Sequence, residues 1–121
     1  MGNFLSEPVL EKGIEEGVCL KNSSTPVSWA VVDMQGWRKS MEDAHIAQTN
    51  VVLSDSPRKE VAHIFAVFDG HLGAEVARFC SLYLIDVLKN QTEWKNRRDV
   101  GKALAECYHS LDRMIADERR K

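Results

Sequence analysis

The sequence lacks several things that would have decided its class quickly. It has no basic excess: 16 Lys and Arg stand against 18 Asp and Glu, for a net charge of −2. Basic side chains are not interleaved with aromatics either, which argues against a nucleic-acid binder. No apolar run approaches the length that crosses a bilayer, and no charged segment followed by an apolar stretch marks a secretory signal. Cysteine is sparse and odd in number. Cys19, Cys80 and Cys107 are scattered, as reduced thiols in an intracellular protein are, and frame neither a disulfide scaffold nor a zinc knuckle. Internal repeats and low-complexity tracts are absent. What remains is an ordinary globular composition, 44% hydrophobic and 28% charged over 121 residues, enough for one domain or a piece of one.

The most informative stretch runs from Ala62 to His71. Ile64 to Phe68 is a short continuous apolar run, the pattern of a buried strand. It stops abruptly at Asp69-Gly70-His71. A carboxylate at the end of a buried strand is rigidly held at the rim of the core. A glycine beside it allows close backbone approach and exposes its own carbonyl. Histidine moves protons near neutral pH. Together these are parts of a hard-metal site with an acid beside it, although Asp-Gly alone reads first as a tight turn.

The chain begins Met1-Gly2-Asn3-Phe4-Leu5-Ser6, a pattern compatible with myristoylation of Gly2. One acyl chain binds membranes marginally, and the acidic residues that follow supply no basic patch, so any membrane association is expected to be weak and reversible. Residues 1–26 read as an N-terminal leader, with Gly13, Gly17 and the cluster Asn22 to Thr25 as punctuation. Val27 to Met34 reads as a strand with apolar residues on both faces, hence one covered on both sides. Gly36 marks the bend out of it. Arg38 is a planar fork donor suited to phosphate. Glu42 and Asp43 offer hard oxygen ligands or water-positioning groups, or simply a solvated ion-pair cluster.

Ala44 to Leu53 and Glu60 to Phe68 read as an antiparallel pair across a polar turn at Ser54 to Lys59. The period then changes. Val76, Cys80, Tyr83, Leu84, Val87 and Leu88 place an amphipathic helix over Gly73 to Asn90. Val100, Leu104, Cys107, Leu111 and Ile115 place a second over Asp99 to Asp117. Cys107 and Arg113 have the separation seen in cysteine-dependent phosphatases. The intervening residues hold no glycine to cradle a phosphate and continue a helix, so Cys107 reads as a core residue.

Two blocks in order, Gln35-Gly36-Trp37-Arg38 with Met41-Glu42-Asp43-Ala44-His45, then Phe65 to His71 with Gly73, resemble the start of the metal-dependent protein serine/threonine phosphatases of type 2C, the PPM family. Met1-Gly2, Phe4-Leu5, Pro8 and Glu11-Lys12 resemble the leader of its myristoylated members. The resemblance implies an α+β fold, the N-terminal portion of a four-layer α-β-β-α sandwich, with residues 27–121 forming an incomplete part of the catalytic domain. It implies hydrolysis of phosphoserine and phosphothreonine proteins by a water that two Mn²⁺ or Mg²⁺ ions activate. Carried over by position, Asp69 would bridge the ions, Gly70 would bind through its carbonyl, and Glu42 would complete one shell. Arg38 would hold the phosphate, His71 would protonate the leaving alkoxide, and Asp43 would orient the attacking water. The family's later aspartates and its Gly-Asp blocks do not occur in this sequence, so the expectation is a fragment that is inactive alone and leaves sheet edges uncovered. The alternative is a truncated pseudophosphatase acting as a binding or regulatory module. The expected location is cytoplasmic, with nuclear or peripheral-membrane placement also compatible. Nothing in the sequence specifies oligomeric state.

Overall fold

The computed structural model describes residues 4–19, 25–52, 61–96 and 99–119. Strand β1, Phe4–Cys19, pairs antiparallel with β2, Val27–Arg38, and the register sets Gly13 opposite Asp33, Ile14 opposite Val32 and Gly17 opposite Trp29. The residues read as a leader thus include a long strand. The glycines taken for punctuation explain the difference. A Cβ on Gly13 would lie 2.7 Å from the Asp33 carboxylate, and one on Gly17 would lie 2.7 Å from the Trp29 ring. Each glycine clears room for the side chain directly across the ladder, a role of glycine in sheets beside large cross-strand partners.

The second sheet joins β3, Ala44–Val52, to β4, Val61–Phe68, in the expected antiparallel pairing, with Ala44 opposite Phe68 and Ile46 opposite Ala66. The register shifts between Gln48 and Val51, where Asn50 takes a left-handed φ of 55°. Leu53, Glu60 and the turn between them lie outside the described residues, as does Gly2.

The two sheets meet face to face. Trp29 and Phe65 approach with ring centroids 6.0 Å apart and planes tilted by 54°. His45 Nε2 stands 3.3 Å from Glu15 Oε2, and the Asn50 side-chain amide donates to Cys19 Sγ at 3.0 Å. Alternation within β4 sorts its side chains. Ile64, Ala66 and Phe68 turn to the helices, while Phe65 and Val67 turn to the other sheet, where Val67 remains 77% exposed. On β2, Val32 and Met34 are also exposed, so that strand is covered on one side only. Among the described residues no helix layer lies over the outer face of β1–β2, which is why the expectation of two-sided cover fails.

The core lies between β3–β4 and the helices. These are α1, Glu75–Asn90, the short α2, Thr92–Lys95, and α3, Val100–Glu118. Leu84, Ile85 and Leu88 of α1 and Ala103, Cys107 and Leu111 of α3 close on Ile46 and Val51. The four-residue spacing on α3 puts its three buried residues on one stripe. Asp99 caps α3, its carboxylate accepting from the Lys102 N–H at 2.9 Å. Helix α1 begins two residues later than expected, because Leu72 and Gly73 hold φ values of 57° and 140°. The sequence reading also missed α2, a single turn whose Trp94 packs against the core.

Leu88 is 2% exposed at the centre of this cluster. Leu88→Ala should destabilise the chain by about 2–5 kcal/mol. Urea unfolding followed by circular dichroism would measure it, and Leu82→Ala, at a position 71% exposed, should stay near wild type.

Candidate metal and phosphate site

Sheet register builds the site. Because Ala44 at the start of β3 faces Phe68 at the end of β4, the residues just before β3 and just after β4 become neighbours. Those residues are Glu42 and Asp43 on one side, Asp69 and Gly70 on the other. Gly70 shows how tight the approach is. A Cβ there would collide with the Glu42 carbonyl oxygen and lie 2.7 Å from the carbonyl oxygen of Gly73. Only glycine fits, and the two sequence blocks touch through their backbones at this point.

Strand β2 brings the cation. Gly36 does not end the strand as the sequence suggested. It carries a φ of 65° inside β2, which continues to Arg38. The Gln35 side-chain amide donates to the Arg38 carbonyl at 2.8 Å and braces the backbone there. Two residues on, the Ser40 hydroxyl donates to Glu42 Oε1 at 3.0 Å. The sequence reading missed Gln35 and Ser40 as participants. The available signal was proximity alone: polar side chains two and three residues from groups already singled out.

Arg38, Ser40, Glu42, Asp43, Asp69 and Gly70 line one open cleft of about 220 Å³. The structure therefore brings together five of the six expected site residues of the interior chain. The sixth, His71, is exposed and lines an adjoining cleft of about 440 Å³ that shares Asp69 and Gly70 and is otherwise walled by groups such as Val76, Cys80 and Tyr108. The donors around the first cleft are carboxylate and carbonyl oxygens, the chemistry that suits Mg²⁺ or Mn²⁺ and not a soft ion. Among the described residues no three His, Cys, Asp or Glu side chains converge into a metal-holding group.

Cys107 takes no part. It is fully buried on α3, and its thiol donates to the Leu84 carbonyl at 3.6 Å. Burial, and secondarily the neighbouring Cys80, push its pKa above the ordinary 9.0. Burial followed by the Asp112 carboxylate does the same to Cys80. A nucleophilic cysteine needs the opposite shift, which excludes the cysteine-phosphatase arrangement with Arg113.

The sequence signature of the family described as Protein phosphatase 2C matches residues 28–121. The chain belongs to the protein phosphatase 2C family. It is 39% identical over 120 residues to Protein phosphatase 2C homolog 2 of Schizosaccharomyces pombe, an alignment that covers 98% of this chain and 30% of that protein. It is 39% identical over 118 residues to Protein phosphatase 1G of Bos taurus, covering 98% and 20%. With Probable protein phosphatase 2C 5 of Paramecium tetraurelia it shares 35% identity over 117 residues, covering 97% and 35%. The chain thus spans about a third or less of the length of these relatives.

Two outcomes follow from the packing. Gly70→Ala should lower the melting temperature markedly, because its neighbours are backbone atoms, whereas Gly101→Ala, whose Cβ would meet Asp99 Oδ1 at an ordinary 3.4 Å, should hold or raise it. Differential scanning calorimetry separates the two. At pH 8, iodoacetamide should alkylate Cys107 only as fast as the chain unfolds, and peptide mass spectrometry at rising urea would show the dependence.

Proposed function

We propose that this chain carries the phosphate-binding arginine and part of the metal shell of a protein serine/threonine phosphatase that hydrolyses phosphoserine and phosphothreonine with two Mn²⁺ or Mg²⁺ ions. One observation carries the reading. Arg38 on one sheet and Glu42, Asp43, Asp69 and Gly70 on the other line a single cleft. A guanidinium fork facing a set of carboxylates is a poor design for storing an anion. It is a sensible one for a phosphate bound to the arginine on one side and to cations on the other.

The roles follow from what each group can do. Arg38 donates in parallel to two phosphate oxygens. Asp69 and Glu42, with the Gly70 carbonyl, would hold the ions. The chemistry such ions supply when bound is activation of a water for attack on phosphorus and neutralisation of phosphoryl charge. Asp43 accepts a hydrogen bond from the attacking water and aims it. His71 donates a proton to the serine or threonine oxygen as the ester bond breaks, which matters because an alkoxide is a poor leaving group. His71 lines the adjoining cleft that shares Asp69 and Gly70 with the first. On this reading turnover requires further ligands, and the chain alone is inactive.

Mn²⁺ titration by calorimetry on the wild-type chain and on Asp69→Asn, with phosphopeptide turnover measured in parallel, tests the reading. The expected result is weak Mn²⁺ binding that Asp69→Asn abolishes, and no turnover by either. Turnover by the wild-type chain alone would overturn its incompleteness. A folded chain that ignores Mn²⁺ would replace the enzymatic reading with that of a binding module.

A further inference from the structure

We propose that Ser40 is a positioning residue for Glu42: its hydroxyl occupies Oε1 and so presents Oε2 to a divalent ion in the cleft. The proposal rests on the metal reading given above and adds to it a residue that the chemistry of the ligands alone does not require. Glu42 is tethered at both ends. Its carbonyl packs against Gly70, where no side chain fits, which fixes the backbone relative to Asp69. Its carboxylate is held by the 3.0 Å hydrogen bond from Ser40. Ser40 reaches it because the chain bends at Lys39 and Ser40 after leaving β2, which folds residue 40 back over residue 42.

The energetic reason for such a bond is entropy. A glutamate side chain has several rotatable bonds, and freezing them as an ion arrives costs conformational entropy. A hydroxyl that holds one carboxylate oxygen removes part of that cost beforehand and leaves the other oxygen for the metal, the usual work of groups that hydrogen-bond metal ligands. Contrast Gln35, whose amide holds only the Arg38 carbonyl and so braces backbone without touching the guanidinium. Ser40 acts on the ligating group itself. It also lines the same open cleft as Arg38, Asp43 and Asp69, although the residue and its bond to Glu42 are solvent-exposed.

The test uses Mn²⁺ alone and four forms of the chain: wild type, Ser40→Ala, Ser40→Thr and Asp69→Asn. Calorimetry gives the affinities, and thermal melts without metal give the stabilities. Ser40→Ala should weaken Mn²⁺ binding about 10-fold, the lower end for loss of a group that orients a ligand, while Ser40→Thr, which keeps the hydroxyl, should stay close to wild type. Metal-free melting temperatures of both should match wild type. Unchanged affinity in Ser40→Ala with binding lost in Asp69→Asn overturns the Ser40 role and leaves the metal reading standing. An affinity loss that comes with a lowered metal-free melting temperature, or that threonine does not rescue, assigns Ser40 a structural part and also overturns it. If Asp69→Asn binds Mn²⁺ as wild type does, or wild type does not bind it, the metal reading fails and the proposal fails with it.

Discussion

The register of β3 against β4 is the constraint on which the site depends. Ala44 pairs with Phe68, and that single alignment carries Glu42 and Asp43 to the side of Asp69 and Gly70 although the two blocks are far apart in the chain. A slip of one residue would do more than displace the carboxylates. It would also turn Ile64, Ala66 and Phe68 away from the helices, because side chains alternate across a strand. The hydrophobic core and the acidic rim are therefore fixed by the same pairing. The burial of Ile46 and Val51 beneath Leu84, Leu88 and Leu111 holds the register, and the register holds the carboxylates.

Gly70 converts that alignment into a tight contact. The alternation of β3 and β4 would bring their ends only to ordinary strand spacing, but the absence of a Cβ lets the loop after β4 settle against the Glu42 carbonyl. The glycine that first reads as a turn residue is thus needed for approach. Gly13 and Gly17 make the same point in β1, where each admits the side chain opposite it and neither interrupts the strand.

These glycines also mark how far the sequence could be read. Hydrophobic periodicity located β3, β4, α1 and α3 because each buries one face in a single core, and periodicity is a record of burial. It failed for β1, whose partner face holds Gly13, Glu15 and Gly17 and whose other face is exposed, so no apolar alternation could form. It failed for α2 because one turn is shorter than the pattern that reveals a helix. That Arg38, Glu42, Asp43, Asp69 and Gly70 belong together, as they do in lining one cleft, was legible from residue type and from the two blocks in order. Ser40 was not. A serine two residues before a glutamate is common, and only the bend after β2 turns that spacing into a hydrogen bond.

The cleft also joins elements of unequal firmness. Its carboxylates stand on β3 and β4, which the helices clamp, whereas Arg38 ends β2 on the other sheet. Among the described residues, the sheets are tied by the tilted Trp29–Phe65 pair, the Asn50 amide on Cys19, a His63 ring nitrogen 3.0 Å from the Thr25 carbonyl, and the His45–Glu15 contact, in which the glutamate side chain is 59% exposed. An aromatic pair contributes about 0.5–1.5 kcal/mol and an exposed ion pair typically 1 kcal/mol or less. Burying one leucine in the helix-facing core outweighs each of them. The carboxylate side of the cleft is thus anchored to the helix-facing core, and the Arg38 side is joined to it through the contacts between the sheets. On the proposed reading, a phosphate held by Arg38 and by cations at Asp69 would span the two sheets.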